Sequence, residues 1–394
     1  MAACSAAWPQ GRPRFEIADI VRAHGEAYRA RHALLPVQAQ ALRDIERCRT
    51  AALGGHVDLC PGCGYERPAY NSCRNRHCPK CQALAQARWV ERRRERVLPI
   101  RHFHVVFTLP AELHPIARAN PERVFDLLFD AAARTLLTLG RDPRWLGAQL
   151  GITAVLHTWT RELRFHPHVH CIVTAGGLDD EGKRWIRGRR RAFLFPVRVL
   201  GALFRGKFLR ALDRARARGE VTFGGATTHL GAPAAFAALR DALYKKRWVV
   251  YAKLPFGGAE QVFRYLGRYT HRVGISNHRL LDVTRDHVTF ATKHGRTATL
   301  PPEEFLGRFL QHVLPKRYVK IRHYGLLASG NVKRRLAAAR ALLLPDVATT
   351  PPTTAVPPTW VELLRLLTGI DVTTCPRCGT ILEHVAVARP PDTS

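Results

Sequence analysis

The sequence predicts an α+β fold in which helices flank a central antiparallel sheet, preceded by a small zinc-binding domain. Three observations predict it: CxxC pairs before residue 97, strand-like and helical segments in irregular order between about 100 and 325, and a basic, Pro/Thr-rich tail. An irregular order with expected hairpins favours an antiparallel sheet over a doubly wound parallel one. We therefore expect three domains, at 1–97, 98–330 and 331–394.

The net charge of the chain indicates which class of molecule it binds. The 394 residues include 62 Lys and Arg against 31 Asp and Glu, a net charge of +31, which predicts binding to nucleic acid. The sequence has no run of eighteen apolar residues, which argues against a membrane protein. Residues 1–14 lack the apolar region of a secretory signal, so we expect a cytoplasmic protein. Because six of the ten cysteines lie in CxxC pairs, metal binding is favoured over disulfides.

Secondary structure follows from composition and periodicity. Strand-like segments lie at 102–109, 152–159, 169–174, 248–254, 279–283 and 288–292. Helical segments are expected within 15–50 and at about 82–97, 121–139, 196–217, 234–245, 259–272, 302–313 and 331–344. A Pro/Thr-rich linker at 345–358 separates the last of these from a short helix that starts at Trp360.

The first cysteine-rich segment predicts a zinc site. Two CxxC pairs are separated by fourteen residues: Cys60, Cys63, Cys78 and Cys81. Each pair can present two thiolates to one tetrahedral Zn²⁺, and Cys73 and His77 between them are alternative ligands. Arg74, Arg76 and Lys80, with the Arg-rich segment that follows, predict a basic face for a phosphate backbone.

A last pair, Cys375 and Cys378, supplies only half of a second zinc site. His384 is a candidate third ligand. A closed site would need Cys4, Cys48, Cys171 or another chain to complete it.

A histidine-rich strand is the first catalytic candidate. His166, His168 and His170 alternate, so in a strand they point to one face while Val169 and Cys171 point to the other. His168 and His170 can share one divalent ion. Magnesium or manganese held there would polarise a phosphodiester oxygen.

This metal needs a third ligand. We prefer His157, which lies in a strand expected to pair antiparallel with the histidine strand. Glu162 is closer in sequence but lies in the turn between the two strands.

A tyrosine pair is the second catalytic candidate. Tyr265 and Tyr269 are four residues apart, so on a helix both phenols emerge from one face. A neighbouring row of cations is placed to bind phosphate: Arg264, Arg268 and Arg272. Tyrosine is a weak nucleophile at neutral pH, but an activated phosphate beside guanidinium groups lowers the barrier to attack.

Together these motifs resemble the HUH superfamily of single-strand nucleases, and within it the two-tyrosine rolling-circle transposases of the insertion sequence 91 family. The matching stretches appear in the family's order along most of the chain: Cys60-Pro-Gly-Cys63, Cys73-Arg-Asn-Arg-His77-Cys78-Pro-Lys-Cys81, His166-Pro-His-Val-His-Cys171, Arg264 to Arg272, Ile275-Ser-Asn-His-Arg279 and Cys375-Pro-Arg-Cys378-Gly379. The sequence contains no Walker motif for a helicase, so DNA unwinding would come from a host helicase.

The resemblance implies roles for the matching residues. His168 and His170 would bind the catalytic metal, and Tyr265 and Tyr269 would be nucleophiles that nick single-stranded or hairpin element ends through 5′-phosphotyrosine intermediates. The family fold has the histidines on a central strand. Two other functions stay open: a plasmid replication initiator or relaxase with the same chemistry, and a non-enzymatic zinc DNA-binding regulator.

Overall fold

A computed structural model describes residues 13–82, 89, 96–188, 194–256, 274–344, 359, 361–362, 365 and 371–388. The predicted tyrosine helix, most of the Arg-rich helix at 82–97, the linker at 345–358 and Trp360 lie outside the described residues. None of the described helices is both long and apolar enough to cross a membrane.

The centre of the molecule is an antiparallel sheet of six described strands. In chain order they are β3 (His102–Thr108), β4 (Gln149–Trp159), β5 (Phe165–Leu178), β6 (Trp185–Arg187), β7 (Val250–Phe256) and β11 (Ile321–Gly325). The spatial order is β11-β4-β5-β3-β7, with the short β6 pairing with β5 outside this path. Every pairing is antiparallel, which confirms the predicted α+β fold class.

One face of this sheet is apolar and packs against helices. Two 21-residue helices cover it, α4 (Pro121–Arg141) and α5 (Val197–Ala217), with the short α3 (His114–Ala119) and α6 (Pro233–Lys245) beside them. Their large side chains interlock with those of β3, β4 and β5, and several are fully buried: Phe107, Phe125, Phe129, Phe204 and Phe208. Burying each such ring contributes roughly 1.5–3 kcal/mol, so this face holds the main core. The opposite face of the sheet carries the histidines.

A second core joins the N-terminal helices to a later part of the chain. Helices α1 (Ile17–Arg31) and α2 (Pro36–Arg47) pack with β8 (Leu280–Val283), β9 (Val288–Ala291), β10 (Thr297–Leu300) and α7 (Pro302–Leu310). Strands β8, β9 and β10 form their own three-stranded sheet. The packing therefore crosses the boundary at residue 97 that the sequence suggested.

The C-terminal segment also returns to the N-terminal region. β1 (Gly55–Leu59) lies between β2 (Glu66–Tyr70) and β12 (Glu383–Ala388) in a three-stranded antiparallel sheet. Just before the linker, a π-helical turn (Val332–Leu336) continues into α8 (Ala337–Leu343). The segment 331–394 was predicted as a separate domain, but its described end completes the sheet of the cysteine-rich module.

Candidate metal centres

Three imidazoles meet on the face of the central sheet away from α4 and α5. His157 on β4 lies directly opposite His168 on β5, and His170 is two residues further along β5 on the same face. One ring nitrogen of each histidine lies within 4.8 Å of the other two. We call this group of three residues the histidine cluster. The sequence predicted these residues and the antiparallel pairing that unites them.

Hydrogen bonds orient two of these rings. Nδ1 of His168 lies 2.6 Å from the carbonyl oxygen of His166, so Nδ1 carries the proton and Nε2 keeps a free lone pair. Nδ1 of His170 lies 2.8 Å from Nε2 of His104 on β3. When His170 donates in this bond, its Nε2 is the ring nitrogen that carries the lone pair for a metal.

Burial keeps the ring of His168 neutral. His157 is 3% exposed and stacks on Trp159 with ring centroids 4.6 Å apart. Burial lowers the pKa of His168 to about 4. A neutral imidazole is the form that binds a metal ion, so His168 is ready to bind a cation at neutral pH.

His104 has a role that the sequence analysis missed. It is 2% exposed, and its ring stacks on that of His170 with centroids 5.0 Å apart. The available signal was the alternating His102-Phe-His104 pattern in a predicted strand. Recognising it would have required knowing that β3 is the other neighbour of β5.

Other residues considered for the third ligand lie elsewhere. Glu162 is exposed in the β4–β5 turn, where its carboxylate pairs with Arg164 at 3.2 Å. His166, at the start of β5, lies outside the group whose nitrogens meet. The predicted nucleophiles Tyr265 and Tyr269, with the Arg264, Arg268 and Arg272 row, lie outside the described residues.

Eight of the nine described cysteines form two clusters, grouped differently from the prediction. The first unites Cys78 and Cys81 with two residues outside their CxxC pair, Cys48 and Cys73. Cys48 is the residue that follows α2 and packs in the second core with Cys78. Sγ of Cys81 lies 3.5 Å from Sγ of Cys48 and 3.6 Å from Sγ of Cys73. Cys73, which the sequence offered as an alternate, is therefore a full member, and together with Cys48 it replaces Cys60 and Cys63.

His77 is not part of either cluster. Its Nε2 accepts a hydrogen bond from the backbone N–H of Leu314, and its Nδ1 lies 3.0 Å from Oδ1 of Asn75. Both ring nitrogens thus have partners inside the fold. Burial lowers the pKa of His77 to about 3, and the alternate ligand role predicted for it is corrected to a structural one.

The second cluster joins the two ends of the chain. Cys60 and Cys63 face Cys375 and Cys378, with Sγ atoms 3.3 Å apart for Cys60 and Cys378 and 3.7 Å apart for Cys63 and Cys375. The half site predicted at the C-terminus is thus completed by the first CxxC pair. The Thr380 hydroxyl, 3.3 Å from Sγ of Cys378, lowers the pKa of that thiol to about 6.

His384 is not a ligand of this cluster. Its Nδ1 contacts the carboxylate of Asp58 instead.

The three cations predicted to belong to a basic face at the cysteine pairs lie in different surroundings. Arg76 donates to the backbone carbonyl of Tyr318 at 2.6 Å, and Lys80 forms an ion pair with Glu16. Arg74 stays exposed. Two of the three cations therefore have partners within the fold, and most of the Arg-rich segment that follows them lies outside the described residues.

Comparison with known proteins assigns the chain to a protein family. Residues 20–109 match the family described as "Transposase zinc-binding domain", and residues 151–335 match that described as "Putative transposase". The chain is 47% identical over 370 residues to "Putative transposase y4qJ" of Sinorhizobium fredii (strain NBRC 101917 / NGR234), covering 92% of each protein. The chain belongs to the insertion sequence 91 family of transposases.

A more distant relative agrees with this assignment. This transposase is 28% identical over 369 residues to "Transposase for insertion sequence element IS801" of Pseudomonas savastanoi pv. phaseolicola, over 88% of this chain and 84% of the relative. No solved structure matches. The zinc-binding match contains all four residues of the first cysteine cluster and also Cys60 and Cys63, which supports structural Zn²⁺ in this part of the chain. It does not reach Cys375 and Cys378.

Proposed function

We propose that this transposase nicks single-stranded DNA at the ends of its element, using a divalent metal at the histidine cluster, and joins the strands by rolling-circle transposition. The observation that carries the proposal is the convergence of His157, His168 and His170 on one point of the sheet. Three ligands leave positions open for substrate, which is the usual arrangement of a catalytic rather than a structural site.

The donor set fits a transition metal better than magnesium. Magnesium prefers oxygen ligands, whereas imidazole nitrogen suits first-row transition ions. Of the two ions expected from the sequence, manganese is therefore the better match. A bound ion would polarise a phosphodiester oxygen and stabilise the charge that develops as the bond breaks. Burial keeps the His168 ring neutral, and hydrogen bonds to His166 and His104 fix the orientation of two of the three rings.

We assign the nucleophiles to Tyr265 and Tyr269. In the proposed step the phenolic oxygen attacks phosphorus, the bond to the 3′ oxygen breaks, and the phenolic proton is transferred to that leaving oxygen. The products are a 5′-phosphotyrosine and a free 3′ hydroxyl, which a second strand transfer can rejoin. Tyr269 is only five positions before Gly274, where a Cβ would lie 3.3 Å from the Leu163 side chain in the β4–β5 turn. That turn is at the histidine end of β5.

The proposed partner is DNA, as single-stranded or hairpin element ends. The net charge of +31 supports affinity for phosphate without sequence preference. Arg264, Arg268 and Arg272 are assigned to phosphate binding beside the tyrosines. A host helicase would supply unwinding.

Covalent adduct formation tests the proposal. Labelled single-stranded oligonucleotides from both flanks of the element are incubated with the protein and Mn²⁺, Mg²⁺ or EDTA, then run on a denaturing gel. We expect an adduct with either metal, faster with Mn²⁺, and none with EDTA. The Tyr265→Phe/Tyr269→Phe variant should form none, whereas Tyr244→Phe, an exposed tyrosine of α6, should behave as the wild type.

The single variants separate the roles of the two tyrosines. Adduct in both Tyr265→Phe and Tyr269→Phe would support two nucleophiles, and loss in one of them would reduce the mechanism to the other phenol. An adduct that persists in the double variant, or none with any end sequence, would overturn the proposal. A hairpin-bearing terminus in the flanking DNA supports an element end over a plasmid origin.

A further inference from the structure

We propose that Cys60, Cys63, Cys375 and Cys378 bind a second structural Zn²⁺, which fastens the C-terminal end of the chain to the N-terminal module. We call this the terminal clasp. The two halves are more than 300 residues apart in sequence, since Cys60 and Cys378 are separated by 318 positions. The clasp goes beyond the proposed nicking reaction and does not depend on it.

The two halves have the same local geometry. The N–H of Gly64 donates to the carbonyl of Cys60 at 2.9 Å, and the N–H of Gly379 donates to the carbonyl of Cys375 at 3.0 Å. Both glycines have a positive φ, 69° and 77°, which a residue with a side chain rarely adopts. Each first cysteine also donates its N–H to the residue five positions later, Tyr65 or Thr380. Two matching turns thus present two thiols each, as a tetrahedral ion requires.

The distances between sulfur atoms fit a shared ion. With Zn–S bonds of about 2.3 Å, two thiolates on a tetrahedral ion are about 3.8 Å apart. The separations of 3.3 and 3.7 Å across the clasp are close to this value. Both are far longer than the bond of about 2.05 Å in a disulfide. Four sulfurs and no oxygen in the set select a soft or borderline ion, for which zinc is the common choice.

The two turns are also built to approach each other. A Cβ on Gly62 would lie 2.7 Å from Oγ1 of Thr380, so a side chain at position 62 would push the halves apart. Asp58 on β1, only 3% exposed, receives a 2.7 Å hydrogen bond from Arg67 and contacts His384 on β12. Arg67 also donates to the carbonyl of Val372. These polar contacts align the C-terminal segment with β1 beside the four sulfurs.

The polar group itself is better explained as an ion pair than as another metal site. The ring nitrogens of His56 and His384 and a carboxylate oxygen of Asp58 do lie within 4.8 Å of one another. However, the guanidinium of Arg67 already neutralises this carboxylate. A divalent cation beside it would be repelled by the same guanidinium.

Zinc content measured on the full chain tests the clasp. Elemental analysis should find two zinc ions per wild-type chain, one for each four-cysteine cluster. Cys60→Ser/Cys63→Ser and Cys375→Ser/Cys378→Ser should each retain one. The decisive variant carries all four substitutions and should also retain one, because the two pairs share a single ion.

Other outcomes overturn the clasp. Two zinc ions retained by Cys375→Ser/Cys378→Ser would show that the C-terminal pair is not a ligand set. Fewer ions in the fourfold variant than in either pair variant would show separate sites. One zinc in the wild type, with a mass lower by two hydrogen atoms per disulfide, would show oxidised cysteines instead of a metal.

A cleavage experiment, done without DNA, tests whether the terminal clasp holds the C-terminal segment to the N-terminal module. A protease site inserted in 345–358 allows the chain to be cut before its C-terminal pair. The released fragment should co-elute with the rest of the wild type in gel filtration and separate from it in Cys60→Ser/Cys63→Ser. Equal co-elution in both proteins would show that zinc does not hold the two ends together.

Discussion

The histidine cluster and the first cysteine cluster differ in what supports them and in how many ligands they offer. The histidines stand on neighbouring strands of a continuous sheet and supply three nitrogens, with His168 and His170 only partly buried. The cysteines come from the end of α2, a loop and a helical turn, supply four sulfurs, and pack in the second core through Cys48 and Cys78. Four ligands close the coordination of an ion, whereas three leave it open. We therefore expect one cluster to serve folding and the other to serve chemistry.

The largest expected effect comes from the closed cluster. Cys78→Ser removes a sulfur that is 1% exposed and packed against the core formed by α1, α2 and α7. Zinc contributes roughly 10–16 kcal/mol to the folding of small zinc modules, comparable to the whole stability of a typical domain. We expect the variant to lose one zinc ion and to unfold or aggregate at temperatures where the wild type is folded, as measured by elemental analysis and thermal unfolding.

Cys171→Ala is the matched control for this loss. Cys171 is fully buried on the apolar face of β5 and belongs to neither cysteine cluster. An ordinary core substitution of this kind costs about 1 kcal/mol. If Cys78→Ser were no more destabilising than Cys171→Ala, the first cysteine cluster would not stabilise the fold through a bound zinc ion.

At the histidine cluster, loss of one ligand should reduce adduct formation and leave thermal stability nearly unchanged. His170→Ala removes one of the three nitrogens while leaving the apolar face of the sheet intact. We expect adduct formation to fall by about 100-fold or more, because partners that only orient a metal ligand already contribute 10–100-fold. The thermal midpoint should stay close to that of the wild type.

His166→Ala provides the comparison on the same strand, since that side chain lies outside the cluster. It should retain most of the adduct. A large drop in thermal midpoint for His170→Ala, with adduct in proportion to the folded protein, would make the histidines structural and remove the contrast with the cysteines.

The histidine cluster was easier to predict from the sequence than the cysteine clusters. Strand alternation and antiparallel pairing across a short turn are local rules, so the pairing of His157 with His168 followed from the residues themselves. The six predicted strands are all present, with ends displaced by at most four residues. His104 was missed because β3 reaches β5 only through the tertiary order of the sheet.

The cysteines follow no such local rule. Nearness in sequence suggested that Cys60 and Cys63 bind with Cys78 and Cys81, whereas loop sulfurs can be brought together from any distance along the chain. One signal was available: a glycine follows the CxxC pairs at 60–63 and 375–378, but Gln82 follows Cys81. Gly64 and Gly379 adopt the same left-handed turn, whereas Gln82 donates to the Cys78 carbonyl in a helical turn. The residue after each pair thus distinguishes the two kinds of half site.

The smallest expected effect is that of His104 on the metal affinity of the histidine cluster. His104→Ala removes the ring 2.8 Å from Nδ1 of His170 but none of the three candidate ligands. His104 is a positioning residue, so we expect the Mn²⁺ concentration for half-maximal adduct to rise by about 10–100-fold. The maximum at saturating metal should be largely retained. His104→Gln keeps an acceptor for the His170 proton and should recover part of the affinity.

This split between metal affinity and maximal adduct separates positioning from packing. A ring that only filled space between β3 and β5 would lower the thermal midpoint in both variants and leave the metal titration unchanged. A ring that orients His170 instead shifts the titration in His104→Ala more than in His104→Gln, because only the alanine leaves the Nδ1 proton without an acceptor. Equal titrations for wild type and both variants would exclude a role for His104 in the metal centre.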